Sequence, residues 1–158
     1  MRVCWRGFTL VELLVTIAVA GVLVAAAVPQ FQSMVRRQQM ASVANDMIMS
    51  INFARSEATR VGGGVQMQAV NATNNGNEWG PGWQILGPTG TVLQSFTGAT
   101  GGMTINGTDG VNVVTFNGRG LPNLTLQMDM CNPGSGVRIA MSAVGRPATS
   151  DLTSSTCP

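Results

Sequence analysis

The sequence predicts an α+β chain: one long N-terminal helix, bent near its middle, packed on an antiparallel β-sheet domain. Three observations carry that reading. From Phe8 to Val28 run 21 residues with a single charge, Glu12. Beyond them Ala44, Met47, Ile48, Ile51, Ala54 and Ala58 recur at helical spacing. After Gly62-Gly63-Gly64, glycine, asparagine, threonine and proline punctuate short apolar stretches, which is the pattern of successive strands and turns.

The run Phe8–Val28 is long enough to cross a bilayer core of about 30 Å as a helix. A carboxylate inside such a span costs roughly 2.5–3.5 kcal/mol on insertion scales, so Glu12 calls for a partner. Two plainer readings compete. A secretory signal peptide would use Arg2 and Arg6 as its basic start and Ala25-Ala26-Ala27 as its cleavage site. Its apolar part would then be unusually long, and helical patterning continues past Pro29. A simple membrane anchor explains the length but not Gly7-Phe8 or Glu12.

Gly7-Phe8-Thr9-Leu10-Val11-Glu12-Leu13-Leu14 resembles the cleavage motif of type IV pilins and type II secretion pseudopilins. The resemblance implies cutting between Gly7 and Phe8 by a prepilin peptidase, with methylation of the new amine of Phe8. It also places Glu12 as the fifth mature residue. On a helix Glu12 lies one turn from Phe8. A neighbour's N-terminal amine could therefore meet the carboxylate in apolar surroundings. Because an unpaired buried charge is costly, such a pair would set the axial register of a filament.

Four segments follow: a leader over 1–7, the membrane half of the helix over 8–28, its amphipathic half over 29–60, and a β-rich domain over 61–158. Cys4 would leave with the leader. Pro29 lacks an amide hydrogen and is expected to kink the helix. Gln30, Gln32, Arg36, Arg37, Gln38 and Gln39 then form a solvated or headgroup-facing stretch. The triple glycine ends the helix. Strands are expected at Val65–Val70, Gly82–Leu86, Val92–Phe96, Met103–Ile105, Val111–Phe116, Leu124–Met130 and Val137–Ser142. Asn71–Glu78 reads as a mobile polar loop and Thr149–Thr156 as a tail that frays unless held. The ten methionines are expected to fill the core, and Asn71, Asn106 and Asn123, each in an Asn-x-Thr triplet, to make turns.

Composition excludes much chemistry. The sequence contains no histidine, which removes Ser-His-Asp triads, Cys-His nucleophiles and histidine metal sites. No phosphate-cradling Gly-Lys-Ser/Thr element occurs. No enzyme, cofactor or metal is predicted. Without Arg2 and Arg6, seven arginines face seven acids, which disfavours indiscriminate nucleic-acid binding. The basic leader places the N-terminus in the cytoplasm and the β domain in the periplasm, tethered to the inner membrane. There Cys131 and Cys157, the two remaining cysteines, are expected to form a disulfide.

Further motifs run in order along the chain: Phe53-Ala54-Arg55-Ser56-Glu57-Ala58, Trp79-Gly80-Pro81-Gly82-Trp83, Phe116-Asn117-Gly118-Arg119-Gly120, and Val137-Arg138-Ile139-Ala140-Met141-Ser142 leading to Gly145-Arg146. Together they resemble the H-type pseudopilin and FimT/FimU minor pilin family. The resemblance implies a structural minor pilin that helps initiate type IV pilus assembly, with other minor pilins, the major pilin and prepilin peptidase as partners. The alternatives are the H-type minor pseudopilin of a type II secretion system and a FimT-like DNA-binding competence pilin. DNA receptors of the FimT kind carry Gly-Arg-x-Arg. Gly145-Arg146-Pro147-Ala148 lacks the second arginine, so Arg146 is only a weak DNA candidate. Arg146 is expected to bond the tail or pair with Asp151, with Arg138 nearby across a turn. Trp79 and Trp83 are expected in the core or at a sheet edge, and Arg55 and Glu57 to pair with the β domain.

Overall fold

The structure is a computed structural model that describes residues 8–72, 76–133, 135–152 and 157. Helix α1 spans Leu10–Val61 and carries Pro29 within it. Among the described residues eight strands follow: β1 Gly63–Ala69, β2 Gly82–Leu86, β3 Val92–Thr97, β4 Thr104–Gly107, β5 Val113–Asn117, β6 Leu126–Asn132, β7 Ser135–Met141 and β8 Pro147–Leu152. They form two four-stranded sheets, ordered β3-β2-β1-β5 and β4-β6-β7-β8, with antiparallel pairings throughout.

The chain divides after Arg36 into two compact units. In the first, every described residue up to Gln32 is exposed, including all the large apolar side chains. This stretch of α1 is long and apolar enough to cross a membrane.

The second unit has a conventional core. Along α1, Met40, Ala44, Met47, Ser50, Ile51, Ala54 and Ala58 are buried. The spacing had named most of these, but Ile48 is only half-buried and the polar Ser50 takes a core position instead. Val65, Met67 and Ala69 of β1 point inward while Gln66 and Gln68 alternate with them, as a half-buried strand requires. Trp79, Trp83 and Phe116 are the largest fully buried side chains. Trp83 stacks on Phe96 with ring centroids 5.5 Å apart. Seven methionines, Met40, Met47, Met67, Met103, Met128, Met130 and Met141, lie in the interior, which is the filling role expected of that flexible side chain.

Gly62 has φ +88°, so the helix ends in a left-handed residue that a side chain would strain. Gly63, at φ +114°, then approaches β5 so closely that a Cβ there would come within 2.7 Å of Gly118 N. That contact turns the chain straight from α1 into β1.

Some sequence expectations need correction. The expected tail Thr149–Thr156 overlaps β8, whose Pro147–Leu152 pairs with β7 from Gly136↔Leu152 to Met141↔Pro147. Its residues are exposed or only half-buried, so no apolar alternation marks it, and proline at its first position is tolerated on an edge. Residues 153–156 of the expected tail lie outside the described residues. Within the expected loop Asn71–Glu78, residues 73–75 also lie outside them, but Asn77 and Glu78 are anchored. Asn77 Oδ1 accepts from Ile105 N–H at 2.8 Å. The buried Glu78 carboxylate accepts from Gly107 N–H at 3.0 Å and Gly76 N–H at 3.3 Å. Together with Trp79 N–H, which donates to Ile105 O, these groups occupy the outer edge of β4. Val111 and Leu124 lie just outside the strands assigned to them.

Candidate functional site

The helix start is built by Thr9. Its Oγ1 accepts from Glu12 N–H at 3.2 Å, and its carbonyl accepts from Leu13 N–H at 3.1 Å. Thr9-Leu10-Val11-Glu12 is thus a helix-capping sequence as well as part of the cleavage-like motif, a signal that the sequence reading had not used. Glu12 is exposed in the first turn, and Phe8 is 69% exposed just before the cap. Among the described residues no cation pairs with Glu12. Gly7 and the rest of the leader lie outside the described residues.

The second region lies where α1 ends. Arg55 Nε donates to Gly120 O at 3.1 Å across 65 residues of sequence. This is the expected contact of Arg55 with the β domain. Gly120 belongs to a turn held by Asn117, whose Oδ1 accepts from Arg119 N–H at 2.9 Å and Leu121 N–H at 3.0 Å. Gly145, in the turn between β7 and β8, also meets Arg55: a Cβ there would lie 2.7 Å from its Nε. Asn52, Arg55, Ser56, Thr59, Arg119 and Gly120 line a groove of about 270 Å³.

Other expected pairings come out differently. Glu57 pairs with Arg60 on its own helix, with Arg60 Nε donating to Oε2 at 2.8 Å, because three residues of helical rise bring the two together. That hydrogen bond holds the Glu57 carboxyl below its ordinary value. Arg138 is gripped by Asp129 across the β6–β7 pair, Nε to Oδ1 and Nη2 to Oδ2 both at 2.7 Å. Its charge is therefore neutralised within the sheet, and the guanidinium pKa is raised by the same bonds. Arg146 is exposed in the β7–β8 turn, where its N–H donates to Ser142 Oγ at 3.2 Å. The expected pair with Asp151 is not formed among the described residues, since Asp151 is held in β8 opposite Val137. Arg146 borders a cleft of about 500 Å³ that it shares with Asp109, Thr108, Gln127 and Ser142.

Trp79 and Trp83 are structural. Trp79 Nε1–H donates to Val111 O and Trp83 Nε1–H to Ser50 Oγ, each at 2.7 Å. Cys131 and Cys157 form the expected disulfide, with Cα atoms 5.3 Å apart. Among the described residues no group of three histidine, cysteine or acidic side chains is placed to hold a metal.

Comparison with known proteins agrees with this geometry. The family described as type II transport protein GspH matches residues 43–145, and the prokaryotic N-terminal methylation motif matches residues 6–28. Over 46 residues the chain is 39% identical to the type IV major fimbrial protein FimA of Dichelobacter nodosus, a match spanning 29% of this chain and 30% of that protein. The fold is similar to crystal structures of the type IV minor pilin FimU of Pseudomonas aeruginosa. In one crystal form the TM-score is 0.60 at 21% identity, covering 79% of this chain and 96% of that one. In a second the TM-score is 0.56 at 23% identity, covering 75% and 96%. With its methylation-motif helix and the GspH match over most of the second unit, the chain belongs to the GspH family of minor pilins and pseudopilins.

Proposed function

We propose that this protein is a structural minor pilin that helps to initiate type IV pilus assembly, and not an enzyme. The observation that carries the reading is the first unit itself: an exposed, membrane-length apolar helix with one carboxylate, Glu12, unpartnered among the described residues. In the bilayer the helix anchors the chain, with its N-terminus cytoplasmic and its β domain periplasmic. After prepilin peptidase cuts between Gly7 and Phe8, the same helix enters a filament core. There Glu12 receives the N-terminal amine of a neighbouring subunit, which offsets the cost of its burial. The FimU-like fold supports a pilus as the destination.

The test is twofold. Intact-mass measurement should find a species beginning at methylated Phe8, and sheared pili should contain the chain. A major species beginning at Met1 or Val28 rejects the processing. Absence from pili, with piliation unchanged by gene deletion, rejects the function.

The GspH match favours a second reading, a minor pseudopilin of a type II secretion system. Gene deletion separates the two: loss of surface pili supports the first, and loss of protein secretion with pili intact supports the second.

A further inference from the structure

We propose that the groove lined by Asn52, Arg55, Thr59 and Arg119 receives a carboxylate side chain from an adjacent pilin-type subunit. The proposal rests on the assembly reading above.

The donors in this groove fit an acceptor-only ligand. Ser56 Oγ–H donates to Phe53 O and Thr59 Oγ1–H to Ser56 O, so both hydroxyl hydrogens are already used. The remaining hydrogens belong to the two guanidinium groups and the Asn52 amide. Among the described residues no carboxylate lies within ion-pair distance of Arg55 or Arg119. The nearest acid along the helix, Glu57, is occupied by Arg60. The domain's other gripped arginine, Arg138, is likewise held by its own carboxylate. Arg55 and Arg119 therefore form a site whose counter-charge the described chain does not supply.

One side of the site is held in place. Arg55 is fixed through Nε to Gly120 O, and the Gly145 turn packs against the same guanidinium. The backbone of Arg119 is fixed by Asn117 Oδ1. A donor held in place, as Arg55 is, loses less entropy on binding. A groove of about 270 Å³ suits a side chain better than a drug-sized ligand, for which pockets are typically about 300–1,000 Å³. Two guanidinium groups offer about two phosphate contacts, too few for strong nucleic-acid binding, so a protein carboxylate is the better match. Arg146 faces the neighbouring cleft with Asp109 and is not part of the site.

Two arms test this. In cells, full-length wild type, Arg119→Glu, Arg119→Lys and Arg146→Glu are compared for their share in sheared filaments against the membrane fraction. Arg119→Glu should lower that share about tenfold with normal membrane levels and an intact disulfide, while Arg119→Lys and Arg146→Glu stay near wild type. Equal incorporation of Arg119→Glu overturns the proposal; absence of wild type from filaments counts against the assembly reading instead. In vitro, the full chain in detergent micelles is titrated with poly-L-glutamate and with a short DNA duplex. Polyglutamate binding that Arg119→Glu weakens about tenfold supports the site. No polyglutamate binding overturns it, and so does DNA binding that is tighter and equally dependent on Arg119.

Discussion

The Trp83 indole N–H donates to Ser50 Oγ at 2.7 Å, tying β2 to α1 across 33 residues of sequence. Ser50 is fully buried, and its own hydroxyl hydrogen goes to Asp46 O at 2.6 Å. The helix thus carries a polar residue within its apolar stripe because a sheet tryptophan needs an acceptor there. Ser50→Ala strands that indole and should cost about 1–3 kcal/mol. Urea unfolding of the full chain in detergent, followed by tryptophan fluorescence, measures it. A loss below about 0.5 kcal/mol would mean that the indole finds another acceptor.

Glu78 should behave as a buried structural carboxylate. Glu78→Ala leaves Gly107 N–H without its acceptor in the interior and should cost more than about 2 kcal/mol. Glu78→Gln keeps an acceptor oxygen and should cost less. The same unfolding assay ranks the two, and equal effects would show that the charge, not the acceptor, matters.

The Cys131–Cys157 bridge closes a loop with a sequence separation of 26. In the chain-entropy model its loss by Cys131→Ser with Cys157→Ser should cost about 3–4 kcal/mol. Thiol alkylation and mass spectrometry of the non-reduced protein should find neither cysteine labelled. Gly136 sits against the bridge, since a Cβ there would overlap Cys157 Sγ. Gly136→Ala should therefore raise the fraction of alkylated Cys131 and Cys157.

Removing the helix carboxylate separates insertion from assembly. Glu12→Ala deletes a charge from an apolar span, so membrane insertion should be unchanged or improved. The variant should nevertheless be missing from sheared filaments, because the axial pair with a neighbour's amine is gone. Normal incorporation would refute Glu12 as the register residue.

DNA binding should be weak and salt-sensitive. Arg146 stands alone in its turn and Arg138 is committed to Asp129, so the β7–β8 end offers about one phosphate contact, worth about 0.9 in the salt slope on duplex DNA. Fluorescence anisotropy of the full chain in detergent at about 150 mM salt tests this. Micromolar or tighter binding abolished by Arg146→Ala would favour the DNA-receptor reading over assembly.

Local signals in the chain fix most of the order of elements. An apolar run of 21 residues and the stripe ending at Ala58 required a long helix, Gly62-Gly63-Gly64 required its end, and turn residues punctuating short apolar stretches marked most strands. Cys131 and Cys157, the two cysteines beyond the expected leader, named the disulfide by elimination. All these signals are local or compositional. β8 was not legible in this way, because an exposed edge strand carries no apolar period and exists through its pairing with β7. The same holds for the burial of Ser50 and Glu78 and the convergence of Arg55 with Gly120 and Gly145. A polar group's place depends on which donor or acceptor reaches it, and here the partners lie 33, 29 and 65 residues away for Ser50, Glu78 and Arg55. Apolar burial follows from one residue's own periodicity, whereas polar satisfaction is a property of pairs that only folding brings together.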